Sequence, residues 1–595
     1  MENLFEEFRL GSLKFLNKFV LPPIKLGAGN PDGTVTERQL LFYEQIAEKG
    51  PALIILEPVS VTPDGKEHPR QLCAHLPESG AELKRIVDVV HGQGRLACLH
   101  LNHAGAAANP MATKTKPKAP SSITCPASGQ ESEPMSKEDI KAIIGGYKSA
   151  AKKALAAGFD MIEIQAGHGY LVSQFLNGKI NKRSDAYGQD RLLFAQEVLT
   201  AVREGAPDLP LLVRISGNEM SPEFGIGPED LLPFAWVRGH TTLPLIVAGR
   251  MGRKDRIERI LANGLADLFA LGRPLIADPR LIERWGQGKD NEARLCAYCL
   301  QGCLHRVKSG QPLGCNVNPE IGLPPLKPAE RSRKVLVAGG GPAGMSAALY
   351  LTRRGHRVTL VEKESRLGGQ FALAWQAPGK EKMKEGLESI ERSLRSSGAT
   401  ILLDRSVYAA AVGEFQPDLL VWATGGIQNF PEILGLENQY TLTSVEYFTG
   451  EREIKGPRVL VIGAGRTGIE ITEKLGREGY EVLATKRTDP IGSMMEMITK
   501  NLALKRIAEM GNVILMPHTT IKAFLEKSVD VEQDGVRMSL EPFQTVILAS
   551  GMISAPGPDE EIRNLVSHIE IIGDAREVQD IFGATRAGYE LAAKY

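Results

Sequence analysis

Short apolar runs alternate with amphipathic stretches along the first half of the chain. The runs are rich in Val, Ile and Leu and have the length of buried strands, and residues 136–157 and 191–204 repeat apolar residues at helical spacing. Strands that alternate with helices are typical of parallel β/α units, and a (β/α)8 TIM barrel is their closed form. The candidate strands are Phe19–Ile24, Ala52–Leu56, Arg95–Leu101, Met161–Gln165, Leu211–Ile215, Leu245–Ala248 and Asp267–Leu271.

One stretch of this barrel lacks the expected pattern. Residues 221–243 show little strand signal, although an eight-stranded barrel places a strand and a helix there. We therefore expect an α/β barrel over residues 1–285 that is shortened or irregular around 221–243.

Two glycine-rich loops mark the second half. Each follows a buried apolar run, Lys334–Ala338 or Arg458–Ile462, and each opens an apparent helix. In a G-x-G-x-x-G loop the glycines allow a tight turn, close approach of the backbone to a pyrophosphate and close helix–strand packing, and the helix N-terminus faces the phosphates. Two Rossmann-like dinucleotide-binding domains are predicted; their loop glycines are Gly339, Gly341 and Gly344, then Gly463, Gly465 and Gly468.

The residues after the next strands suggest which nucleotide each loop binds. Glu362 lies 18 residues after Gly344, where a carboxylate suits a ribose hydroxyl pair. Lys486 lies 18 residues after Gly468 and is followed by Arg487, and cations there favour the 2′-phosphate of NADPH over NADH. The alternatives are a glycine turn without a ligand and two ordinary surface cations.

Further marks point to FAD in the first of these domains. The pairs Thr424-Gly425 and Gly573-Asp574 follow apolar runs, and Gly369-Gln370 closes an Arg-Leu-Gly-Gly-Gln motif. Together these marks resemble the two-dinucleotide flavoprotein fold of the disulfide-reductase type, in which the second module is inserted in the first. The resemblance implies an FAD domain over 332–455 plus 551–595, with Gly369, Gln370, Thr424, Gly425 and Asp574 at the flavin, and an NAD(P)H domain over 456–550.

Four of the seven cysteines form one group. The spacing C-x2-C-x3-C-x11-C lies in a predicted connector, 286–331, and no cysteine follows it. Structural zinc sites favour paired C-x2-C knuckles, whereas three close cysteines with a distant fourth are typical of a 4Fe-4S cluster. The pattern favours the cluster and leaves zinc as the alternative; the ligands would be Cys296, Cys299, Cys303 and Cys315.

Composition excludes several other functions. Lys and Arg together number 71 and balance 71 Asp and Glu, so no net charge attracts nucleic acid or an anionic membrane. No apolar run approaches the ~18 residues of a membrane span. The acidic N-terminus lacks the features of a secretory signal, so a cytoplasmic protein is expected.

Motifs along the barrel make the resemblance more specific. They include Asn-Lys-Phe-Val-Leu-Pro-Pro at 17–23, His-Gly-Tyr-Leu-Val-Ser-Gln-Phe-Leu at 168–176, Asn-Lys-Arg-Ser-Asp-Ala-Tyr-Gly at 181–188 and Leu-Gly-Arg-Pro at 271–274. With the cysteine spacing and the tandem dinucleotide loops, the whole chain resembles the 2,4-dienoyl-CoA reductase and trimethylamine dehydrogenase branch of the old yellow enzyme family.

This resemblance implies FMN at the C-terminal mouth of the barrel. Tyr170 would give a proton to a substrate carbon and His168 would hydrogen-bond the substrate carbonyl, although either residue taken alone is more typical of a packing role. Gln165 and residues 221–243 depart from the family pattern, so a full acid–base set is not named. The implied flavin contacts are Pro23, Ile24 and Lys25 through backbone, His100 at the pyrimidine, Arg214 near N1 and O2, and the pairs Gly249-Arg250 and Gly272-Arg273 at the phosphate.

The expected function is NAD(P)H-dependent reduction of an activated C=C bond in an enoyl-, dienoyl- or aryl-CoA thioester. Electrons would pass from NAD(P)H to FAD, the 4Fe-4S cluster, FMN and the substrate. The alternatives are an amine dehydrogenase of the trimethylamine dehydrogenase type and an electron-transfer subunit of a larger complex. Partners beyond a small-molecule substrate are a possible second copy or an electron-transfer protein.

Overall fold

The computed structural model describes residues 3–126, 128–217, 238–239 and 241–595, and the chain divides into two compact units. The first comprises Met1–Ala293, Arg306–Gly314 and Ile321–Pro324. The second comprises Arg294–His305, Cys315–Glu320 and Pro325–Tyr595. The predicted connector therefore contributes segments to both units.

The first unit is built on a parallel, barrel-type sheet. All seven predicted strands are confirmed, and a further two-residue strand, Val59–Ser60, pairs with Leu96–Asn102. Most of the irregular stretch predicted at 221–243 lies outside the described residues. The order along the sheet is Leu211–Arg214, Met161–Gln165, Leu96–Asn102, Leu53–Ile55, Phe19–Leu21, Leu268–Ala270 and Ile246–Ala248.

Helices follow the strands, as β/α units require. Thr36 and Ser136 cap two of them, and each forms a reciprocal capping box with the third helical residue, Gln39 or Asp139. Gly158 ends the longest helix with φ +85°, a conformation that glycine adopts without strain. Among the described residues of this unit, the helices of six or more residues are Glu37–Lys49, Ser79–Gly92, Lys137–Ala157, Leu171–Leu176, Leu193–Gly205, Lys254–Ala262 and Leu281–Gly286.

An antiparallel hairpin, Phe8–Leu10 with Leu13–Phe15, packs against the amino-terminal ends of the barrel strands. Phe15 shares one buried cluster with Val20, Leu53 and Met161. One apolar cluster of the core therefore lies at this end of the sheet.

The second unit contains two five-stranded parallel sheets. Ile569–Ile571 pairs with Leu419–Trp422 in the first sheet, although the whole second sheet lies between them in sequence. This pairing confirms that the second dinucleotide module is inserted in the first. The strand order in the first sheet is Thr400–Leu402, Arg357–Val361, Lys334–Ala338, Leu419–Trp422 and Ile569–Ile571. The order in the second sheet is Thr441–Thr443, Thr545–Leu548, Arg458–Ile462, Glu481–Thr485 and Val513–Met516.

Helices and smaller sheets complete this unit. Gly426–Gln428 pairs with Met552–Ser554 where the chain leaves and re-enters the first module. An antiparallel sheet is made of Thr519–Phe524, Val529–Gln533 and Val536–Leu540. The helices of six or more residues are Pro342–Arg353, Met383–Arg395, Ala409–Phe415, Ser444–Thr449, Arg466–Arg477, Met497–Ala508, Glu560–Leu565 and Ile581–Lys594.

Among the described residues no helix combines the length and the apolar character that crossing a lipid bilayer requires.

Candidate active site and cofactor sites

Polar side chains collect at the carboxyl-terminal edge of the barrel sheet. Because the strands run parallel, the segments that follow them meet at this edge, which is where barrels of this kind place their active sites. Pro23, Ile24 and Lys25 follow the strand Phe19–Leu21, and His168 and Tyr170 follow Met161–Gln165.

Tyr170 forms a hydrogen-bonded cluster with Lys25 and Glu67. The Lys25 ammonium donates to the Tyr170 hydroxyl over 2.6 Å. That hydroxyl donates to Glu67 Oε2, and the same oxygen forms an ion pair with Lys25. The Glu67 side chain is 5% exposed and that of Lys25 is 33% exposed, so the cluster is open to solvent mainly through the lysine.

The charges of this cluster set its protonation. Burial and then the neighbouring Glu67 charge raise the pKa of Tyr170, so the phenol is protonated at neutral pH. Burial alone lowers the pKa of Lys25, but Glu67 and Tyr170 outweigh it and raise the pKa overall. Burial opposes ionisation of Glu67, but the neighbouring Lys25 outweighs it and lowers the pKa of Glu67. Burial lowers the pKa of His68 to about 4, so its imidazole is neutral.

A second charged cluster lies inside the sheet. His100 Nδ1 is 2.6 Å from Glu163 Oε1, and Arg214 Nη1 is 3.9 Å from the same oxygen. His100 and Glu163 are opposite each other in neighbouring strands, and both are buried. The sequence predicted His100 and Arg214 near the flavin but gave no role to Glu163, which joins them.

His168 has different neighbours from Tyr170. Its backbone lies in the left-handed region with φ +60°, and its Nδ1 is 3.0 Å from Gln165 Nε2. Its backbone N–H donates to Ser216 Oγ over 2.7 Å. Gln165, which departs from the family pattern, therefore holds the His168 imidazole at the mouth.

The two predicted phosphate loops follow adjacent strands of the sheet. Gly249 and Arg250 come after Ile246–Ala248, both with positive φ, +109° and +53°. Gly272 precedes the short helix that begins at Arg273. A Cβ on Gly272 would lie 3.7 Å from Ile24 Cδ1, so this loop adjoins the predicted flavin-contacting segment.

Several buried polar atoms at this edge have no hydrogen-bond partner among the described residues. They are both side-chain polar atoms of Asn102, Oε1 of Gln165 and Oε1 of Glu67. Buried polar groups in folded proteins are almost always paired, so unpaired atoms at one edge indicate a polar ligand. The flavin ring of FMN, with its N–H and C=O groups, fits this donor and acceptor set.

The first dinucleotide loop has the geometry that FAD requires. Gly339 has φ +105°, and a Cβ on Gly341 would meet no atom within 4 Å, which leaves the loop open for a pyrophosphate. Glu362 Oε2 accepts from the Gly340 N–H over 2.6 Å, so the predicted ribose carboxylate lies directly beside the loop. A Cβ on Gly369 would lie 3.2 Å from Gly341 Cα, which brings the Gly369-Gln370 segment to the same loop.

The two remaining FAD marks also lie together. Thr424 and Gly425 follow the strand Leu419–Trp422, and a Cβ on Gly426 would lie 3.6 Å from Asp574 Cβ. Burial raises the pKa of Asp574, which accepts from the Gln579 N–H. These positions agree with the prediction of one FAD site, although their roles stay predictions.

The second loop repeats this geometry. Gly463 has φ +105°, and Gly465 precedes the helix Arg466–Arg477. Gly468 lies in the first turn of this helix, where a Cβ would collide with the Gly463 carbonyl oxygen. Lys486 is half-buried and Arg487 is exposed at the end of Glu481–Thr485, and neither forms an ion pair with another described residue. Both cations are therefore available to a phosphate group.

The four cysteines come together within the second unit. Cys315 interacts electrostatically with Cys296, Cys299 and Cys303, and after burial these neighbours raise its pKa well above the ordinary range. Burial and then the nearby Cys303 raise the pKa of Cys299 to about 11. Backbone N–H groups point to three of the sulfurs: those of Tyr298 to Cys296, Gln301 and Gly302 to Cys299, and Val317 to Cys315.

The four cysteines are the residues that would ligate the cluster expected from their spacing. No group of three or more His, Cys, Asp or Glu side chains in the described part of the chain is placed to hold one metal ion. A structural zinc site needs four ligands on one ion, whereas in a 4Fe-4S cluster each thiolate binds a different iron. The cluster therefore stays a prediction from the cysteine spacing.

Sequence reasoning missed Glu67, Glu163 and Asn102. Glu163 and Asn102 occupy buried positions in mostly apolar strands. A polar residue in such a strand is unusual, so the sequence did contain a signal for these two residues. Glu67 follows a strand of only two residues and has no periodicity around it, so only the tertiary structure reveals it.

Comparison with known proteins agrees with this architecture. The model of the NADH:flavin oxidoreductase / NADH oxidase family matches residues 3–231, and that of pyridine nucleotide-disulphide oxidoreductase matches residues 333–571. An NADH oxidase of Thermoanaerobacter brockii is 31% identical, with 99% of each chain covered. A cinnamate reductase of Clostridium sporogenes is 28% identical, with 99% of this chain and 98% of the relative covered.

Two solved structures have the same fold along their whole length. A 2-naphthoyl-CoA reductase in complex with 2-naphthoyl-CoA has a TM-score of 0.91 and 23% identity, covering 100% of this chain and 99% of the other. Histamine dehydrogenase from Rhizobium sp. 4-9 has a TM-score of 0.89 and 22% identity, covering 99% and 96%. The chain therefore belongs to the NADH:flavin oxidoreductase / NADH oxidase family of flavin-dependent oxidoreductases, in the 2,4-dienoyl-CoA reductase and trimethylamine dehydrogenase branch, and a pyridine nucleotide-disulphide oxidoreductase module follows the barrel in its sequence.

Proposed function

We propose that this oxidoreductase uses NAD(P)H to reduce a C=C bond that is conjugated to a carbonyl, in an enoyl-, dienoyl- or aryl-CoA thioester. The observation that carries the proposal is a protonated phenol, Tyr170, held at the barrel mouth beside unpaired polar atoms that fit FMN. Reduction of a conjugated alkene needs a hydride at one carbon and a proton at its neighbour, and a positioned phenol is a suitable proton donor.

The compared proteins support this choice of substrate. The names cinnamate reductase and 2-naphthoyl-CoA reductase each denote reduction of an unsaturated acyl compound. The second name motivates the thioester rather than the free acid, and the experiment below separates the two.

The bound cofactors would carry the electrons, and the side chains would bind the cofactors, orient the substrate and supply the proton. When bound, the cofactors would pass electrons from NAD(P)H through FAD and a 4Fe-4S cluster to FMN, and FMN would deliver a hydride to the substrate. Cys296, Cys299, Cys303 and Cys315 would ligate the cluster. The glycine loops, with Glu362 in the first and Lys486 and Arg487 in the second, would hold FAD and NAD(P)H.

At the mouth each proposed residue has one task. Tyr170 gives its proton to the carbon next to the carbonyl. His168, held by Gln165, donates a hydrogen bond to the carbonyl oxygen and so stabilises negative charge that develops there. Arg214, beside Glu163 and His100, places a positive charge at the flavin pyrimidine.

Amine dehydrogenation is the second candidate, because histamine dehydrogenase shares the fold along the whole chain. A cationic substrate is best held by aromatic faces or by a free carboxylate. At this mouth the buried carboxylate Glu67 is already paired with Lys25, which disfavours a second cation.

One anaerobic experiment separates the candidates. The purified enzyme is analysed for iron, FMN and FAD, and is then mixed with NADPH or NADH and, in parallel, with cinnamate, cinnamoyl-CoA, a 2,4-dienoyl-CoA, 2-naphthoyl-CoA and trimethylamine. We expect about four iron, one FMN and one FAD per chain, with flavin bleaching by NAD(P)H and reoxidation by an unsaturated thioester. Bleaching by the amine alone would identify an amine dehydrogenase, and a zinc-containing protein with one flavin would refute the electron path.

A further inference from the structure

The hydrogen bonds around Tyr170 are directed in a way that a packing role does not require. Lys25 donates to the phenol oxygen, and the phenol in turn donates to Glu67. The three residues come from separate segments, after Phe19–Leu21, after Val59–Ser60 and after Met161–Gln165. Three chain segments thus converge to give one phenol oxygen a charged donor.

We propose, building on the function proposed above, that Lys25 is a positioning residue whose charge stabilises the Tyr170 phenolate formed when Tyr170 gives its proton to the substrate carbon. In this step the Tyr170 O–H bond breaks and a C–H bond forms. The phenolate then takes a proton from water to restore the O–H bond. Lys25 remains an ammonium throughout and holds the phenolate oxygen by the same N–H that donates to it in the resting enzyme.

The surrounding charges make this support necessary. Glu67 alone would oppose a phenolate, because two anions would share one buried site. Glu57 adds a further acidic group facing Glu67, and His68 is neutral. Lys66 contributes a cation near His68, but within the described residues only Lys25 has an ammonium in contact with the Tyr170 oxygen.

The geometry also explains why a lysine is present at this position. Glu67 Oε2 binds both the phenol and the ammonium, so the carboxylate fixes the lysine against the phenol oxygen. Glu67 Oε1 is buried without a partner among the described residues, so the hydrogen bonds of this carboxylate within the described structure are made by Oε2.

The test compares two steps in the holoenzyme by stopped-flow, in H2O and D2O. The first is reduction of the flavins by NAD(P)H, and the second is their reoxidation by the thioester. For Lys25→Met we expect unchanged flavin reduction and a larger solvent isotope effect on reoxidation. Reoxidation should slow by roughly 10- to 1000-fold, since an opposite charge at this distance shifts a pKa by about one to three units. Lys25→Arg keeps the charge and should recover most of the rate.

Controls and a rescue make each outcome decisive. Lys152→Met removes an exposed lysine from the helix Lys137–Ala157 and should change neither step. If Lys25→Met loses flavin, Lys25→Ala is tested with added ethylammonium, which should restore reoxidation in proportion to its concentration. Normal reoxidation with an unchanged isotope effect in Lys25→Met, or no rescue of Lys25→Ala, overturns the role of Lys25. Failure of the unmodified enzyme to reduce any thioester ends the proposed function and this inference with it.

Discussion

Glu57 offers a quantitative test of the electrostatics beneath the active site. Its carboxyl is 1% exposed, accepts from Gln39 Nε2 at 2.5 Å and lies 3.4 Å from the Leu26 backbone N–H, next to Lys25. Burial, reduced by these two hydrogen bonds, raises its pKa from 4.5 to about 7. Ionisation of Glu57 at alkaline pH therefore lowers the free energy of unfolding.

The sign follows from proton linkage. The folded state holds this proton more tightly than the unfolded chain, so the stability it contributes is full below pH 4.5 and is lost as the pH rises through 7. With about 1.4 kcal/mol per pKa unit, the free energy of unfolding falls by about 3 kcal/mol by pH 8 and by less than about 1 kcal/mol at pH 5.

Glu57→Gln keeps the shape and an acceptor for Gln39 but cannot ionise. We expect the variant to be more stable than the unmodified protein by about 3 kcal/mol at pH 8, and nearly equal to it at pH 5. Hydrogen exchange of the buried strand Leu53–Ile55, read by mass spectrometry, should be slower by up to ~100-fold at pH 8. Glu44→Gln, on an exposed position of the neighbouring helix, is the control. Equal exchange at pH 8, or the same gain at both pH values, would refute a buried carboxyl that titrates near neutrality.

Three further predictions concern the cofactor sites and the phenol. Tyr170→Phe should slow the reoxidation of the flavins by the thioester by ~10²- to 10⁴-fold and leave their reduction by NAD(P)H unchanged. Stopped-flow absorbance measures both steps, and equal slowing of the two would contradict a proton-donor role. Gly302→Ala should lower iron content and retain FAD, because its Cβ would lie 2.9 Å from Cys315 Cα and 3.0 Å from the Asn316 amide nitrogen. Gly80→Ala, whose Cβ meets nothing within 4 Å, is the matched control for iron analysis, and normal iron in Gly302→Ala would argue against a cluster at these cysteines. The double variant Lys486→Ser/Arg487→Ser should raise the KM for NADPH at least ~10-fold and leave the KM for NADH nearly unchanged. Each phosphate contact that is lost is a charge-assisted hydrogen bond worth about 1.5–3 kcal/mol. Parallel changes for both nucleotides would contradict a 2′-phosphate site.

The sequence by itself determined the features that depend on neighbours along the chain. Gly339 and Gly463 need φ +105° directly after a buried strand, and this local requirement leaves a readable glycine pattern. The barrel strands were predictable because buried parallel strands are short, mostly apolar runs, as Phe19–Leu21 and Leu53–Ile55 are. The cysteine spacing likewise predicted one shared site.

Only the tertiary structure decided which distant side chains meet. Tyr170 and Lys25 are 145 residues apart and Tyr170 and Glu67 are 103 apart, so no period or motif links them. His100 and Glu163 meet because parallel pairing sets their strands in register, which depends on packing of the whole sheet. The chemistry of the phenol arises from these long-range contacts, because a side chain's acidity is set by the charges around it in space, whatever their separation along the chain.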